Sequence, residues 1–318
     1  VRQLCIELAG CLPEASEEKR WLVEGLWAQG EVGVIGGQPK SFKSFLALDL
    51  AVSVASGTPC LGRHRVPTPG RVLLYAAEDL EDEVRLRLEK LCDRSGVDFA
   101  TLDLHVIRET SLRLDVEEDC LALEDAVARL EPVLFILDPF VRCHRIDENV
   151  SAQVVPLLAF LRELQRRYGC AVAVVHHAKK GTGSIRPGQA LRGSSEFHSW
   201  GGSNLYLRLA GEGEVTLNVE QRSAPSIEGL RLRLDSTGDR LGLVYVDESH
   251  EHRPPPNASS RHPETRIFET LAGEQEPVPF AKLRDLVKMR TQTFTRALSA
   301  LVADHRVTKT DDGYEIFI

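Results

Sequence analysis

Four short stretches of this chain are almost wholly apolar: EVGVIGG (31–37), RVLLYAA (71–77), VLFILD (133–138) and CAVAVVHH (170–177). LHVIRE (104–109) is a fifth, more polar one. Each has the length of a strand, and helical patterns stand between them at SFLALDLAVSVASG (44–57), LEDEVRLRLEKLCDRSG (80–96), about 118–130 and 151–168. A strand without a polar face has to be covered on both sides, so this alternation predicts a mainly parallel sheet with helices on both faces. After residue 203 the pattern turns to strands alone: NLYLRLA, EVTLNVEQR, LRLRLD and LGLVYVD, joined by short turns such as GEGE and STGD. These predict antiparallel additions at one edge of the sheet.

Residues 1–30 read as a helical lead-in with a tryptophan-bearing turn from Trp21 to Trp27, and 31–247 as the α/β core. ESHEHRPPPNASSRHPE contains three consecutive prolines and no apolar anchor, so 248–264 reads as an extended linker. Residues 265–318 read as three helices and a DG-turned hairpin, the outline of a winged helix.

The chain has 39 Lys plus Arg against 47 Asp plus Glu, a net charge of −8, which excludes a uniformly basic coat but leaves room for a local basic patch. No apolar run is long enough to span a bilayer, and the first residues lack the basic-then-apolar pattern of a signal peptide. The seven cysteines are scattered and never in C-x-x-C spacing, which predicts reduced thiols and a cytoplasmic protein.

The segment Gly37-Gln38-Pro39-Lys40-Ser41-Phe42-Lys43-Ser44-Phe45 sits between a strand and a helix, where the phosphate-binding pattern G-x-x-x-x-G-K-[ST] belongs. Backbone N–H groups and the positive helix end would cradle phosphate oxygens. Lys43 would supply charge to the β- and γ-phosphates of ATP, and the Ser44 hydroxyl a ligand for Mg²⁺. Phe42 stands where that pattern has glycine, the residue chosen where a side chain would crowd the backbone.

Three apolar strands end in chemistry-bearing residues. Asp138 ends VLFILD, where a carboxylate packs badly but can hold Mg²⁺ or its water. Glu78 and Asp79 follow RVLLYAA, where one carboxylate can orient and deprotonate an attacking water; Glu78, nearer the strand end, is preferred. His176 and His177 end CAVAVVHH and point to opposite faces, so only one of them would meet a nucleotide. Open α/β sheets bind ligands along this edge.

On GGQPKSFKSFLALDLA, LLYAAED, LFILDPF, VVHHAKKG and ALRGSS, residues 25–247 resemble the RecA-like hexameric ATPases, most closely the RepA-type replicative helicases and related AAA-type proteins. The resemblance implies an α/β RecA-like P-loop NTPase core, ATP and Mg²⁺ as ligands, and assembly into a hexamer acting on single-stranded DNA in replication. It implies Glu78 as the catalytic carboxylate, Asp138 as the Mg²⁺ aspartate and His177 as the γ-phosphate sensor. In such hexamers a neighbour supplies an arginine finger from a K-x-R pattern; here the chain reads Glu220-Gln221-Arg222, so Arg222 fits the finger while Glu220 replaces the usual first cation.

Residues 178–195, AKKGTGSIRPGQALRGSS, form a segment too long for a simple connection, and Lys179, Lys180 and Arg186 there could track phosphates. A lid over the nucleotide is the other reading. FVRCHRIDENVSAQ (140–153), with Arg142 and Arg145, is a second candidate, weakened by Asp147 and Glu148. In the C-terminal module, TQTFTRALSALV would be a recognition helix, with Arg290 just before it and Gln292, Thr295 and Arg296 toward bases. Leu298, Leu301 and Val302 would face its core. Docking a replication protein is the alternative for this module. For the whole chain, a nucleotide-switched DNA-binding ATPase without unwinding is the alternative to a helicase.

Overall fold

The computed structural model describes residues 6–11, 21–178, 196–211, 213–236, 241–246, 263–272, 277–287, 291–303, 306–310 and 313–316. Contacts divide the chain into two units, Val1–Asp247 and Glu248–Ile318.

Of the helical lead-in expected before Trp21, residues 1–5 and 12–20 lie outside the described residues, and Ala9–Cys11 forms a single 3-10 turn. Among the described residues of the first unit, β1 (Trp21–Val23) and β2 (Trp27–Ala28) pair antiparallel. Gly25 at φ 76° makes the turn between them, a backbone that helix cannot continue through. Trp27 is wholly buried, and its indole N–H donates to the Glu31 carbonyl at 3.1 Å.

The core then alternates as its apolar runs predict. β3 (Val32–Gly37), α1 (Lys43–Ser56), β4 (Val72–Ala76), α2 (Glu81–Ser95), β5 (Leu104–Val106), α3 (Glu117–Leu130), β6 (Leu134–Asp138), α4 (Ser151–Tyr168) and β7 (Ala171–His177) follow in turn. α5 (Glu196–Trp200), β8 (Ser203–Gly211), β9 (Glu214–Gln221), β10 (Ile227–Asp235) and β11 (Gly242–Tyr245) complete it. The strands form one nine-stranded sheet in the order β11-β10-β9-β8-β3-β7-β6-β4-β5. From β8 to β5 every pair is parallel; β8–β9, β9–β10 and β10–β11 are antiparallel.

Side-chain alternation in the parallel strands supplies two cores. Leu134 and Ile136 of β6 pack with α1 and α2, while Phe135 and Leu137 pack with α3 and α4. β9 instead buries only Val215, Leu217 and Val219, every second residue, as an antiparallel strand with one wet face does. No helix among the described residues is long and apolar enough to cross a membrane.

The second unit holds α6 (Pro263–Ala272), α7 (Phe280–Val287), α8 (Thr291–Ala303) and a hairpin of β12 (Val307–Thr310) with β13 (Gly313–Ile316). Val278, just before α7, adds a bridge to Tyr314 of the hairpin, each N–H donating to the other's carbonyl at 2.9 Å. Its own core includes Ile267, Leu283, Phe294, Leu298 and Leu301, with Val302 packed against it.

Candidate nucleotide site

β3 delivers the phosphate loop to the rim of the sheet, and α1 begins at Lys43. Gly37 is required at the strand end: a Cβ there would stand 2.5 Å from Ser41 Oγ and 2.6 Å from the Leu207 carbonyl oxygen. Phe42 takes up the left-handed backbone, φ 62° and ψ 25°, that glycine would otherwise supply. That conformation costs an ordinary residue about 1–2 kcal/mol. The ring offsets part of this by meeting Phe45 edge-on, centroids 6.2 Å apart, and packing against the core beneath α1. Lys40, exposed on the loop, is also left-handed at φ 63°. The loop is held from within, because the Ser41 N–H and hydroxyl both donate to the Gln38 carbonyl, at 3.3 and 2.8 Å. No side chain caps the first turn of α1, so its N–H groups remain available to an anion.

Lys43 is buried and folds back so that Nζ donates to the Gln38 carbonyl at 2.8 Å. Burial lowers its pKa to about 8, against the opposing pull of Asp138 and Glu78. Asp138, at the end of β6, is also buried and accepts a hydrogen bond from the Ser44 side chain. Burial raises its carboxyl to about 6, with Asp79 and Glu78 adding to the rise and Ser44 and Lys43 opposing it. β4 and β6 are in register at Ala76 and Asp138, and the Ala77 N–H donates to the Asp138 carbonyl at 2.7 Å. That register carries Glu78 and Asp79 to the same rim. Asp79 is tied to Arg87 of α2 at 2.6 Å, whereas Glu78 accepts from Arg142 Nε at 2.8 Å.

The adjacent histidines divide as strand geometry requires. His176 is buried, its ring stacked on Phe197 with centroids 4.1 Å apart. His177 is half-buried and pairs in register with Gly37, and the Ala178 N–H donates to the Gly37 carbonyl at 2.8 Å. His177 is therefore the histidine at the phosphate loop. Nearby lies a cluster not expected from the sequence: Glu148 is buried, 3.3 Å from His144 Nε2 and 3.7 Å from His176 Nδ1. The i,i+4 spacing of His144 and Glu148 was the available signal.

Arg222 is not brought to this loop. Its N–H donates to the Gly202 carbonyl, and the Gly202 N–H to that of Val32, at the start of β3. Arg222 Nη2 donates to the Ser199 carbonyl at 2.9 Å, at the end of α5. It stands a strand's length, about 20 Å, from its own phosphate loop. Of the residues expected to meet a polymer, Lys179, Lys180, Arg186 and Arg290 lie outside the described residues. Gln292 and Arg296 are on α8, their side chains likewise outside the description. Arg142 and Arg145 are exposed on the segment after β6.

A sequence profile of the AAA domain family matches residues 6–183, more than half of the chain. The chain belongs to the AAA domain family. Its fold is shared with the crystal structure of the RadB recombinase, at a TM-score of 0.50 and 18% identity, over 69% of this chain and 92% of that one. This AAA-domain chain thus has a RecA-like core of the P-loop ATPase type, a family that binds ATP with Mg²⁺. The residues fit that pair of ligands. Mg²⁺ is usually held by one or two protein groups plus phosphate oxygens and water. Ser44 and Asp138, hydrogen-bonded to each other, would supply such a pair, and no cluster of three or more metal-binding side chains occurs among the described residues.

The two shifted groups set a pH window. To meet phosphate Lys43 would have to be protonated, and to hold a cation Asp138 would have to be ionised. Affinity for Mg·ATP is expected to be greatest between about pH 6 and 8. It should fall on the acid side as Asp138 gains its proton and on the alkaline side as Lys43 loses one. Titration of a fluorescent ATP analogue on both sides of the window checks this, and a flat profile would contradict it.

Proposed function

We propose that the chain is an ATP-driven motor on DNA that works as a ring, in the manner of RepA-like hexameric replicative helicases. One observation carries the reading: Lys43, Ser44, Asp138 and Glu78 gather at one rim of the sheet, while Arg222 stands at the opposite rim. A site completed by that arginine needs a second copy of the chain. In this reading Lys43 and the loop N–H groups bind the β- and γ-phosphates. Glu78 takes a proton from the water whose oxygen attacks the γ-phosphorus as ADP leaves, and His177 hydrogen-bonds the γ-phosphate or that water. Ser44 and Asp138 would hold Mg²⁺, which would supply neutralising charge to the phosphates. Arg222 of a neighbouring copy stabilises the charge of the transition state, a role worth about 10³–10⁵ in rate.

The segment containing Lys179, Lys180 and Arg186 would track the phosphates of single-stranded DNA, and the C-terminal unit would act as a winged-helix-like module contacting DNA through Arg290, Gln292 and Arg296. The RadB neighbour is a recombinase, which is in keeping with work on DNA. The test is mass in solution with and without Mg·ATP, followed by strand displacement. A ring that forms with Mg·ATP and displaces a strand supports the proposal. A chain that stays monomeric with Mg·ATP refutes the ring, and a ring that binds DNA without displacing a strand points to a nucleotide-switched DNA-binding ATPase.

A further inference from the structure

Arg142 is the residue that the catalytic reading leaves without a role, although its Nε donates to Glu78 Oε1 at 2.8 Å. The two are joined by nothing but their side chains. Arg142 lies in the turn after Asp138, 64 residues from Glu78. Its backbone is fixed. Phe140 is wholly buried, Arg113 Nη1 donates to the carbonyls of Arg142 and His144 at 3.0 and 3.1 Å, and the Leu114 N–H donates to Cys143 at 2.7 Å. The guanidinium itself is not fixed in the same way: the Arg142 side chain is 61% exposed and that of Glu78 43%. An exposed ion pair of this kind contributes little to stability and yields readily to a competing charge. Asp79, the other carboxylate of the pair, is bound to Arg87 on α2, so Arg142 engages the one whose charge acts on Lys43.

We infer that Arg142 is a latch on Glu78, released when a nucleic-acid phosphate backbone competes for its guanidinium. The inference rests on the reading of Glu78 as the base. A carboxylate oxygen that accepts from arginine cannot at the same moment accept from the attacking water in that direction, so the paired state is slow. Arg142 and Arg145 are both exposed on the same segment, which gives a polyanion a place to bind next to the pair. Release then needs no movement of the backbone, only a change of partner by one side chain. Arg142 acts through Glu78 and is a positioning residue.

The test is steady-state ATP turnover of the full chain with and without a single-stranded DNA oligonucleotide, in wild type, R142A, R142K, E78Q and the R142A/E78Q double variant. R142A is expected to raise unstimulated kcat about ten-fold, a modest part of the roughly 10²–10⁴-fold that a positioned base supplies. The KM for ATP should change little, and the oligonucleotide should add little further. R142K, which keeps the charge, should stay closer to wild type and retain a response. The double variant should be as inactive as E78Q, because there is then no base to release. A latch is overturned if R142A turns over no faster than wild type while E78Q is inactive; the reading of Glu78 then stands. Normal turnover by E78Q removes that reading, and the latch with it. Wild type that ignores the oligonucleotide overturns the polymer as the releasing signal.

Discussion

Lys43→Ala is expected to bind ATP far more weakly while keeping its fold. Hydrogen bonds to charged groups are worth about 1.5–3 kcal/mol each, so losing one charge-assisted contact to the phosphates weakens binding by roughly ten- to a hundred-fold. Turnover should fall further, because the charge is also needed as the γ-phosphate departs. The fold should survive because Lys43 stabilises little in the free protein. Its ammonium is buried at the cost that lowers its pKa to about 8, and it donates to a carbonyl of its own loop. Nucleotide titration beside a thermal melt reads both effects. Unchanged affinity would remove the phosphate-loop reading, and a large drop in melting temperature would show that Lys43 is chiefly structural.

Mixing Arg222→Ala with Glu78→Gln subunits is expected to restore activity that neither has alone. The first variant keeps an intact Glu78 and the second an intact Arg222, and the two residues lie at opposite rims of one chain. In a randomly mixed ring of equal parts, about a quarter of the interfaces join a working Glu78 to a working Arg222. Activity against mixing ratio should therefore rise to a maximum near equal parts. A straight line between the two parents at all ratios would rule out the finger in trans.

Much of this was legible because it depends on patterns within single segments. Apolar runs such as VLFILD mark a two-sided sheet wherever they occur, and a carboxylate or histidine ending such a run is conspicuous. The alternating burial of β9 was readable in EVTLNVEQ for the same reason. What stayed hidden depends on partners far apart in the chain. Glu148 looks like one more acidic residue in a mixed loop until β7 brings His176 to within 3.7 Å of it. The pairing of Glu78 with Arg142 has no signature in either segment. Phe42 misled in another way. Glycine is the ordinary answer to a left-handed position, but a well-packed phenylalanine holds the same backbone here. At Trp21–Ala28, the tryptophan-bearing turn is a hairpin, and Gly25 makes its turn.

The pairing of β3 with β7 has a mechanical consequence. Gly37 and His177 are opposite each other in the ladder, and one more hydrogen bond, from Ala178 to Gly37, fastens the strands at the rim. Two hydrogen-bonded strands behave as one plate, so a shift of the phosphate loop of an ångström or less cannot be absorbed between them. It is passed directly to Ala178. A movement at Gly37 is therefore a movement at Ala178 as well, passed through the ladder itself.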